Sequence, residues 1–132
     1  MAILKLIDEI NEAINNKEYA LTVFIDLTKA FDVVVHSILR SKLSHYGIRG
    51  TSLKLLTDYL TDRKQLTIVN GVKSHVKTIN CGVPQGSILG PLLFLIYIND
   101  LPNSTQNVDY ILYADDTSVF VKGRICLLSL IL

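Results

Sequence analysis

Three aspartates occupy positions where a carboxylate could take part in chemistry. Asp26 ends an apolar run over residues 23–25, and Asp115 and Asp116 form a turn between two apolar segments. If folding brings Asp26 within about 4 Å of Asp115, the two charges repel each other by roughly 4 kcal/mol at an effective dielectric constant of about 20. A proton or a cation then has to occupy the site at neutral pH.

The ligand atoms narrow the identity of that cation. Carboxylate oxygens without His or Cys favour Mg²⁺ or Mn²⁺, and Mg²⁺ is often shared with substrate phosphates. Such a site serves phosphoryl or nucleotidyl transfer, because metal ions stabilise the attacking and leaving oxygens. Two other interpretations stay open at this point. An Asp-Asp pair in a turn is often only solvated, and Asp26 could simply end a strand or cap a helix.

A second candidate is the turn Gly82-Val83-Pro84-Gln85-Gly86-Ser87. Its glycines allow a backbone to approach another molecule closely, and its proline fixes the direction of approach. Gln85 offers donors and an acceptor near the start of a predicted helix, where an anion such as a phosphate is favoured. The alternative is a simple strand-to-helix turn in which Ser87 caps the helix.

The elements that must position these residues alternate in type. Residues 3–14 carry apolar side chains at helical spacing, and residues 19–27 form an apolar run typical of a strand buried on both faces. Further helices are predicted after Asp32, which could cap its helix, from Thr51 or Ser52, and from the end of Pro84-Gln85-Gly86-Ser87 to about Asp100.

The remaining predicted elements are strands. Asn70-Gly71 predicts a β-hairpin, and residues 108–113 and 117–122 predict two strands joined across the Asp-Asp turn. This order predicts an α+β fold in which helices pack on one face of an antiparallel sheet.

The composition of the chain limits the number of domains, the partners and the location that can be expected. The 132 residues are 49% hydrophobic and 19% charged, enough for one domain with its own core. Lys and Arg number 13 against 12 Asp and Glu, so net charge does not by itself indicate nucleic acid, and Arg63-Lys64 is interpreted as a solvated pair. Cys81 and Cys126 lack the spacing of a metal site or a disulfide framework. Without a signal peptide or an apolar span of membrane length, an intracellular protein with no membrane contact is expected, cytoplasmic or nuclear.

Three stretches in order resemble the motifs of reverse transcriptases, and specifically those of non-LTR, LINE-like retrotransposons. They are Ala30-Phe31-Asp32 with the preceding Asp26, the run from Gly82-Val83-Pro84-Gln85-Gly86-Ser87 to Gly90-Pro91, and Tyr113-Ala114-Asp115-Asp116. The resemblance covers roughly residues 19–122, and it implies a polymerase palm-like sheet.

The resemblance also implies roles for particular residues. Asp26 and Asp115 hold two Mg²⁺ (or Mn²⁺) ions, Asp116 completes the catalytic acidic cluster, and Leu27 supplies a backbone carbonyl to one ion. Around the substrate it implies that Phe31 lies under the incoming sugar, Gln85 and Gly86 contact the nucleotide or template, and Tyr113 lies near the primer end. From the apolar pattern alone, Phe31 could equally be a core aromatic residue.

The implied activity is RNA-directed DNA synthesis. An RNA template, a DNA primer and a deoxynucleoside triphosphate are the implied partners, and the primer 3′-hydroxyl displaces pyrophosphate with two metal ions assisting. Residues 1–123 are interpreted as a partial reverse transcriptase domain, and residues 124–132 as a divergent tail.

Departures from the family pattern lead to further expectations. The family's fingers and thumb regions are not recognised here, so the fragment is expected to be inactive or weak in isolation. Two alternatives stay open: an inert retroelement remnant, or a nucleic-acid-binding module without catalysis. The latter lacks the basic and aromatic strand pattern of RNA-recognition folds.

Overall fold

The computed structural model of the chain describes residues 2–106 and 108–124. It divides into two compact units, one formed by Met1–Thr28 with Asp100–Leu132 and the other by Lys29–Asn99. Cys126 and nearly all of the predicted tail lie outside the described residues. Among those described, no helix has the length and apolar character needed to cross a membrane.

Helices and antiparallel strands are both present, which confirms the predicted α+β class. Short 3₁₀ turns also occur at Ala30–Asp32 and Leu101–Ser104. In chain order the helices and strands are α1 (Ala2–Asn15), β1 (Tyr19–Asp26), α2 (His36–His45), α3 (Gly50–Leu60), β2 (Lys64–Gln65), β3 (Ile68–Val69), β4 (Val72–Lys73), β5 (Lys77–Thr78), α4 (Leu89–Ile98), β6 (Asp109–Tyr113) and β7 (Asp116–Gly123).

The first unit is built on a three-stranded antiparallel sheet in the order β1-β7-β6. Helix α1 contacts β1 and β6, and it is tied to β7 by charge. The Lys122 ammonium donates to Glu12 at 2.6 Å and to Glu9 at 2.9 Å. These hydrogen bonds hold the pKa of Lys122 above its usual value. The far end of the central strand is thereby fixed to the helix.

The prediction that β1 is buried on both faces is wrong. Seven of its eight residues are exposed, including Phe24 at 71% and Val23 at 47%. The reason is its place at the edge of the sheet, with β7 on one side only. An apolar run does not distinguish a central strand from an edge strand, because both can be equally rich in β-branched residues.

The second unit is helical at its centre. Helix α2 packs against α3 and α4, and its core includes Leu39, Leu43 and Leu93, which are almost fully buried. Asp32 does not cap α2 as predicted, since the residue preceding the helix is Val35. Asp32 instead ends the 3₁₀ turn three residues earlier, and its carboxylate is used elsewhere, as described below.

A β-hairpin arm leaves this helical centre. Strands β2 and β5 pair, and beyond them β3 and β4 pair around Asn70-Gly71. Both turn residues have positive φ angles, 50° and 81°, which the predicted two-residue hairpin turn requires. The Ile79 N–H donates to the Arg63 carbonyl at 2.9 Å and extends the β2–β5 ladder.

Residues 81–83 dock tightly onto residues 31–36. The Gly82 and Val83 N–H groups donate to the carbonyls of Val34 and Phe31, both at 2.7 Å. The His36 Nε2 donates to the Gly82 carbonyl at 2.7 Å. Gly82 has a φ of +88°, and a Cβ there would lie 2.8 Å from the Asp32 carbonyl oxygen. Only glycine fits this close backbone approach.

We predict that Gly82→Ala destabilises the chain more than Gly47→Ala does. Gly47 has nearly the same φ, +89°, but a Cβ there meets no atom within 4 Å. A left-handed φ costs a non-glycine residue about 1 kcal/mol, whereas an added backbone clash costs about 2 kcal/mol more. Urea unfolding of the 132-residue chain measures both values. Equal losses for the two variants would contradict the close docking.

The turn between β6 and β7 holds a second unusual backbone conformation. Tyr113 pairs with Asp116, so that Ala114 and Asp115 alone form the loop. Ala114 has a φ of 54°, a left-handed value that is unfavourable for a residue with a Cβ. The tight turn that carries the two adjacent aspartates is therefore strained at its first residue.

We predict that Ala114→Gly stabilises the chain by about 0.5 kcal/mol, because relief of the left-handed strain exceeds the added entropy of the unfolded state. The control is Ala20→Gly within β1, where glycine should cost about 0.5–1 kcal/mol. Urea unfolding compares the variants. A loss of stability at both positions would show that Ala114 is not strained.

Candidate active site

Two of the predicted carboxylates lie in one row at an end of the three-stranded sheet. The register places Asp26 opposite Asp116, and Tyr113 opposite Asp116 on its other side. Residues directly opposite in antiparallel strands point to the same face. Asp26, Asp116 and Tyr113 are all exposed, so a ligand can reach the row from solvent.

Asp115 and Leu27 lie beside this row. Asp115 is half-buried in the turn, and Leu27 is the half-buried residue directly after β1. Because neither residue pairs across the strands, the register does not hold either of them opposite a partner. Among the described residues, no three or more His, Cys, Asp or Glu side chains are grouped so that they could hold a metal ion.

A cavity of about 590 Å³ adjoins the row. Its walls include Ile3 from α1 together with Phe24 and Ile111, and both Asp26 and Asp116 line it. No Lys or Arg lines it, so the repulsion between the two carboxylates is not balanced by a protein cation there. Thr117, also in the lining, is 3% exposed, and its Oγ1 has no hydrogen-bond partner in the described structure. Two carboxylates with no Lys or Arg in the lining are oxygen donors of the kind that a hard divalent cation binds, whereas Thr117, next to Asp116 along β7, lies on the other face of the sheet.

The second unit holds the other predicted substrate residues. Gln85 and Gly86 form an exposed turn before α4, and the Ser87 hydroxyl accepts the Gly90 N–H at 3.0 Å, near the start of the helix. The Gln85 Nε2 donates to the Asp32 Oδ1 at 2.9 Å. Because a carboxylate only accepts, this bond fixes the direction of the Gln85 amide and leaves its carbonyl oxygen available to a ligand.

Phe31 packs partly into the core. Its ring lies 4.7 Å from the ring of the buried Phe94, with a tilt of 44° between their planes. Phe31 is half-buried, so part of the ring belongs to the core and part remains accessible.

A larger cavity of about 760 Å³ opens beside Gln85. Arg63, Lys64 and Asn80 line it along with Asp32 and Gln85. The interpretation of Arg63-Lys64 as a solvated pair agrees with the exposure of both residues, but the sequence did not indicate that they line this cavity, since the pair lies 21 residues before Gln85. The predicted hairpin could have indicated that the pair lies near Gln85, because a hairpin brings the two ends of the arm together.

Asp32 is a further residue that the sequence did not assign to the site. It occurs in the quoted Ala30-Phe31-Asp32 motif, yet its predicted role was that of a helix cap. The hydrogen bond to Gln85 makes it a positioning residue that links two of the three motifs.

Charge is divided unequally between the two units. Lys29–Asn99 contains nine Lys and Arg against three Asp, whereas Met1–Thr28 with Asp100–Leu132 contains four against nine Asp and Glu. The chain's net charge of +1 conceals an acidic unit and a basic unit. The acidic row lies in the acidic unit, and the Gln85 cavity lies in the basic one.

Comparison with known sequences agrees with the motifs. The chain is 38% identical over 120 residues to an RNA-directed DNA polymerase from the mobile element jockey of Drosophila melanogaster, a match covering 86% of this chain and 13% of that protein. It is 36% identical over 135 residues to a probable RNA-directed DNA polymerase from transposon BS of the same species, covering 92% of this chain and 14% of that protein.

A third relative is the probable RNA-directed DNA polymerase from transposon X-element of D. melanogaster, 32% identical over 124 residues, with 91% of this chain and 14% of that protein covered. The chain thus spans about one seventh of the length of these relatives. It matches the family described as reverse transcriptase (RNA-dependent DNA polymerase) over residues 2–131. This confirms the predicted resemblance, and the chain belongs to the reverse transcriptase family.

Proposed function

We propose that this chain is the palm part of an RNA-directed DNA polymerase and carries the acidic residues of nucleotidyl transfer. The observation that supports this most directly is the pairing of Asp26 with Asp116 at the open end of the sheet. Two carboxylates from distant parts of the chain meet there without a neighbouring protein cation. In the whole protein, an RNA template, a DNA primer and a deoxynucleoside triphosphate are the proposed partners.

Asp26, Asp116 and Asp115 supply carboxylate oxygens in this proposal, and the carbonyl of Leu27 supplies a further oxygen. Together they would hold two Mg²⁺ or Mn²⁺ ions, which when bound lower the pKa of the primer hydroxyl and neutralise charge on the triphosphate. The sheet contributes positioning, since the strand register fixes Asp26 and Asp116 before any substrate arrives.

The remaining residues orient the substrates. Tyr113 is 66% exposed beside Asp116 and offers an aromatic ring and a hydroxyl to the primer end. The accessible part of Phe31 would lie against the incoming sugar and exclude a 2′-hydroxyl. Gln85, held by Asp32, presents its carbonyl oxygen to the nucleotide or the template, and the exposed Gly86 allows that strand to approach the backbone.

We predict that Asp26→Asn and Asp116→Asn each weaken Mn²⁺ binding to the 132-residue chain. Loss of even an outer partner of a metal ligand costs about 10–100-fold in affinity, so removing a ligand charge should cost at least about tenfold. Electron paramagnetic resonance of free Mn²⁺ during titration measures the dissociation constant.

Asp109→Asn is the matched control for this experiment. Asp109 is an exposed aspartate of the same sheet, opposite Phe120 and away from the carboxylate row. Its variant loses the same charge and should bind Mn²⁺ as the unmodified chain does. If Asp26→Asn and Asp116→Asn also match the unmodified chain, the shared cation site is refuted.

We further predict that the 132-residue chain alone extends a DNA primer on an RNA template poorly or not at all. The unit that carries the carboxylate row contains only four Lys and Arg against nine acids, too few to bind a triphosphate strongly. Gel analysis of primer extension in Mg²⁺ tests this, with the Asp26→Asn chain as background. Strong synthesis that the substitution abolishes would show that the chain is sufficient.

A further inference from the structure

The cavity beside Gln85 carries charge that the proposed catalytic roles leave unused. Arg63 and Lys64 line it, and neither forms an ion pair within the part of the chain that the structure describes. The carboxylate in its lining is that of Asp32, which already accepts a hydrogen bond from Gln85. The cavity therefore has a cationic edge and room for a ligand of the size that protein pockets commonly bind.

Arg63 is held in place before any ligand binds. Its guanidinium carbon lies 5.4 Å from the centroid of the Tyr59 ring, and one Nη approaches the Tyr59 carbonyl at 3.5 Å. That carbonyl belongs to the last turn of α3, where a cation is favoured by the helix dipole. A guanidinium has five N–H donors, so most of them remain available to a phosphate.

The cationic surface continues along the hairpin arm. A second cavity of about 570 Å³ shares Gln65, Thr78 and Ile79 with the first, and Lys77 lines it. Lys77 lies opposite Gln65 in the β2–β5 ladder, and the bond from the Ile79 N–H to the Arg63 carbonyl continues that ladder by one pair. Because side chains alternate along a strand, Arg63 and Lys77 lie on one face of the arm and Lys64 lies on the other. From Arg63 to Asn99 the sequence contains no Asp or Glu, so nothing on the arm itself opposes an anion.

We propose that Arg63 and Lys77 bind consecutive phosphates of a single RNA strand, which lies along this face of the arm and passes Gln85. Two cations on one face that line adjoining cavities fit a strand, whose phosphates are spaced along it, better than a single nucleotide, whose phosphates are directly linked to one another. This proposal rests on the proposed function, because it assigns the template to this surface. An RNA strand and a free nucleotide both present phosphate groups, and the experiment distinguishes between these two ligands.

Fluorescence anisotropy with a labelled single-stranded RNA of 20 nucleotides tests the proposal on the 132-residue chain. Each phosphate contact on a single strand contributes about 0.7 to the slope of log affinity against log salt, so the variant Arg63→Gln with Lys77→Gln should lose about 1.4 of slope and bind about 25-fold more weakly at 0.1 M salt. Lys77→Gln should lose about half of that slope.

Two matched variants distinguish binding at this surface from a general effect of charge and from a loss of folding. Arg49→Gln with Lys54→Gln removes two exposed cations of the same unit that line neither cavity, and it should keep the RNA affinity within about twofold. Arg63→Lys keeps the charge and should keep the salt slope. Equal losses for the two double variants would overturn the proposal, as would unchanged binding in the Arg63→Gln, Lys77→Gln variant.

The same variants are also titrated with a deoxynucleoside triphosphate. If the Arg63→Gln, Lys77→Gln variant loses triphosphate affinity but keeps RNA affinity, the surface binds a free nucleotide and the template assignment is wrong. Mn²⁺ titration of the same variant should match the unmodified chain. Loss of RNA binding with intact Mn²⁺ binding supports the proposal that the hairpin arm binds RNA. The Asp26→Asn and Asp116→Asn titrations test the catalytic proposal separately.

Discussion

The pairing of β1 with β7 is the contact on which the acidic site depends. It joins eight residue pairs, from Tyr19 opposite Gly123 to Asp26 opposite Asp116. A slip of one residue would turn Asp26 to the other face of the sheet, because side chains alternate along a strand. Since β1 is exposed along most of its length, burial of its own side chains specifies that register only weakly. The register must therefore be set by what surrounds the strand.

Helix α1 supplies that constraint. Its Glu9 and Glu12 hold Lys122, and Lys122 lies opposite Ala20, the second residue of β1. The connection from helix to strand is short and closed by a hydrogen bond from the Glu18 N–H to the Ala13 carbonyl at 2.8 Å. The short connection therefore limits how far β1 can shift relative to α1, and it does so at the end of the sheet where α1 is bound to β7. The ion pairs at one end of the sheet therefore favour the register that places the carboxylates opposite each other at the other end.

The sequence predicted element types well and burial poorly, for identifiable reasons. The Asn70-Gly71 hairpin and the paired strands around Asp115 follow from local chemistry, since turns of two residues demand particular backbone angles. The exposure of β1 and the role of Asp32 depend on partners distant in the chain, which periodicity does not report. Asp32 illustrates the limit: a residue four positions before a helix resembles a cap, yet its carboxylate accepts a hydrogen bond from Gln85, 53 residues later. The acidic residues were identified by their motif, but only the register shows that Asp116 is the one held opposite Asp26.

The unequal division of charge gives the two candidate surfaces separate electrostatic environments. Exposed charges more than about 10 Å apart are largely screened at 0.1 M salt, so a ligand responds to the charges near its own site and not to the sum over the chain. This division agrees with the two proposals, because a cavity lining without Lys or Arg favours divalent cations and a hairpin arm without Asp or Glu favours phosphates. The net charge of +1 is therefore the sum of an acidic unit and a basic unit, and it does not argue against binding nucleic acid.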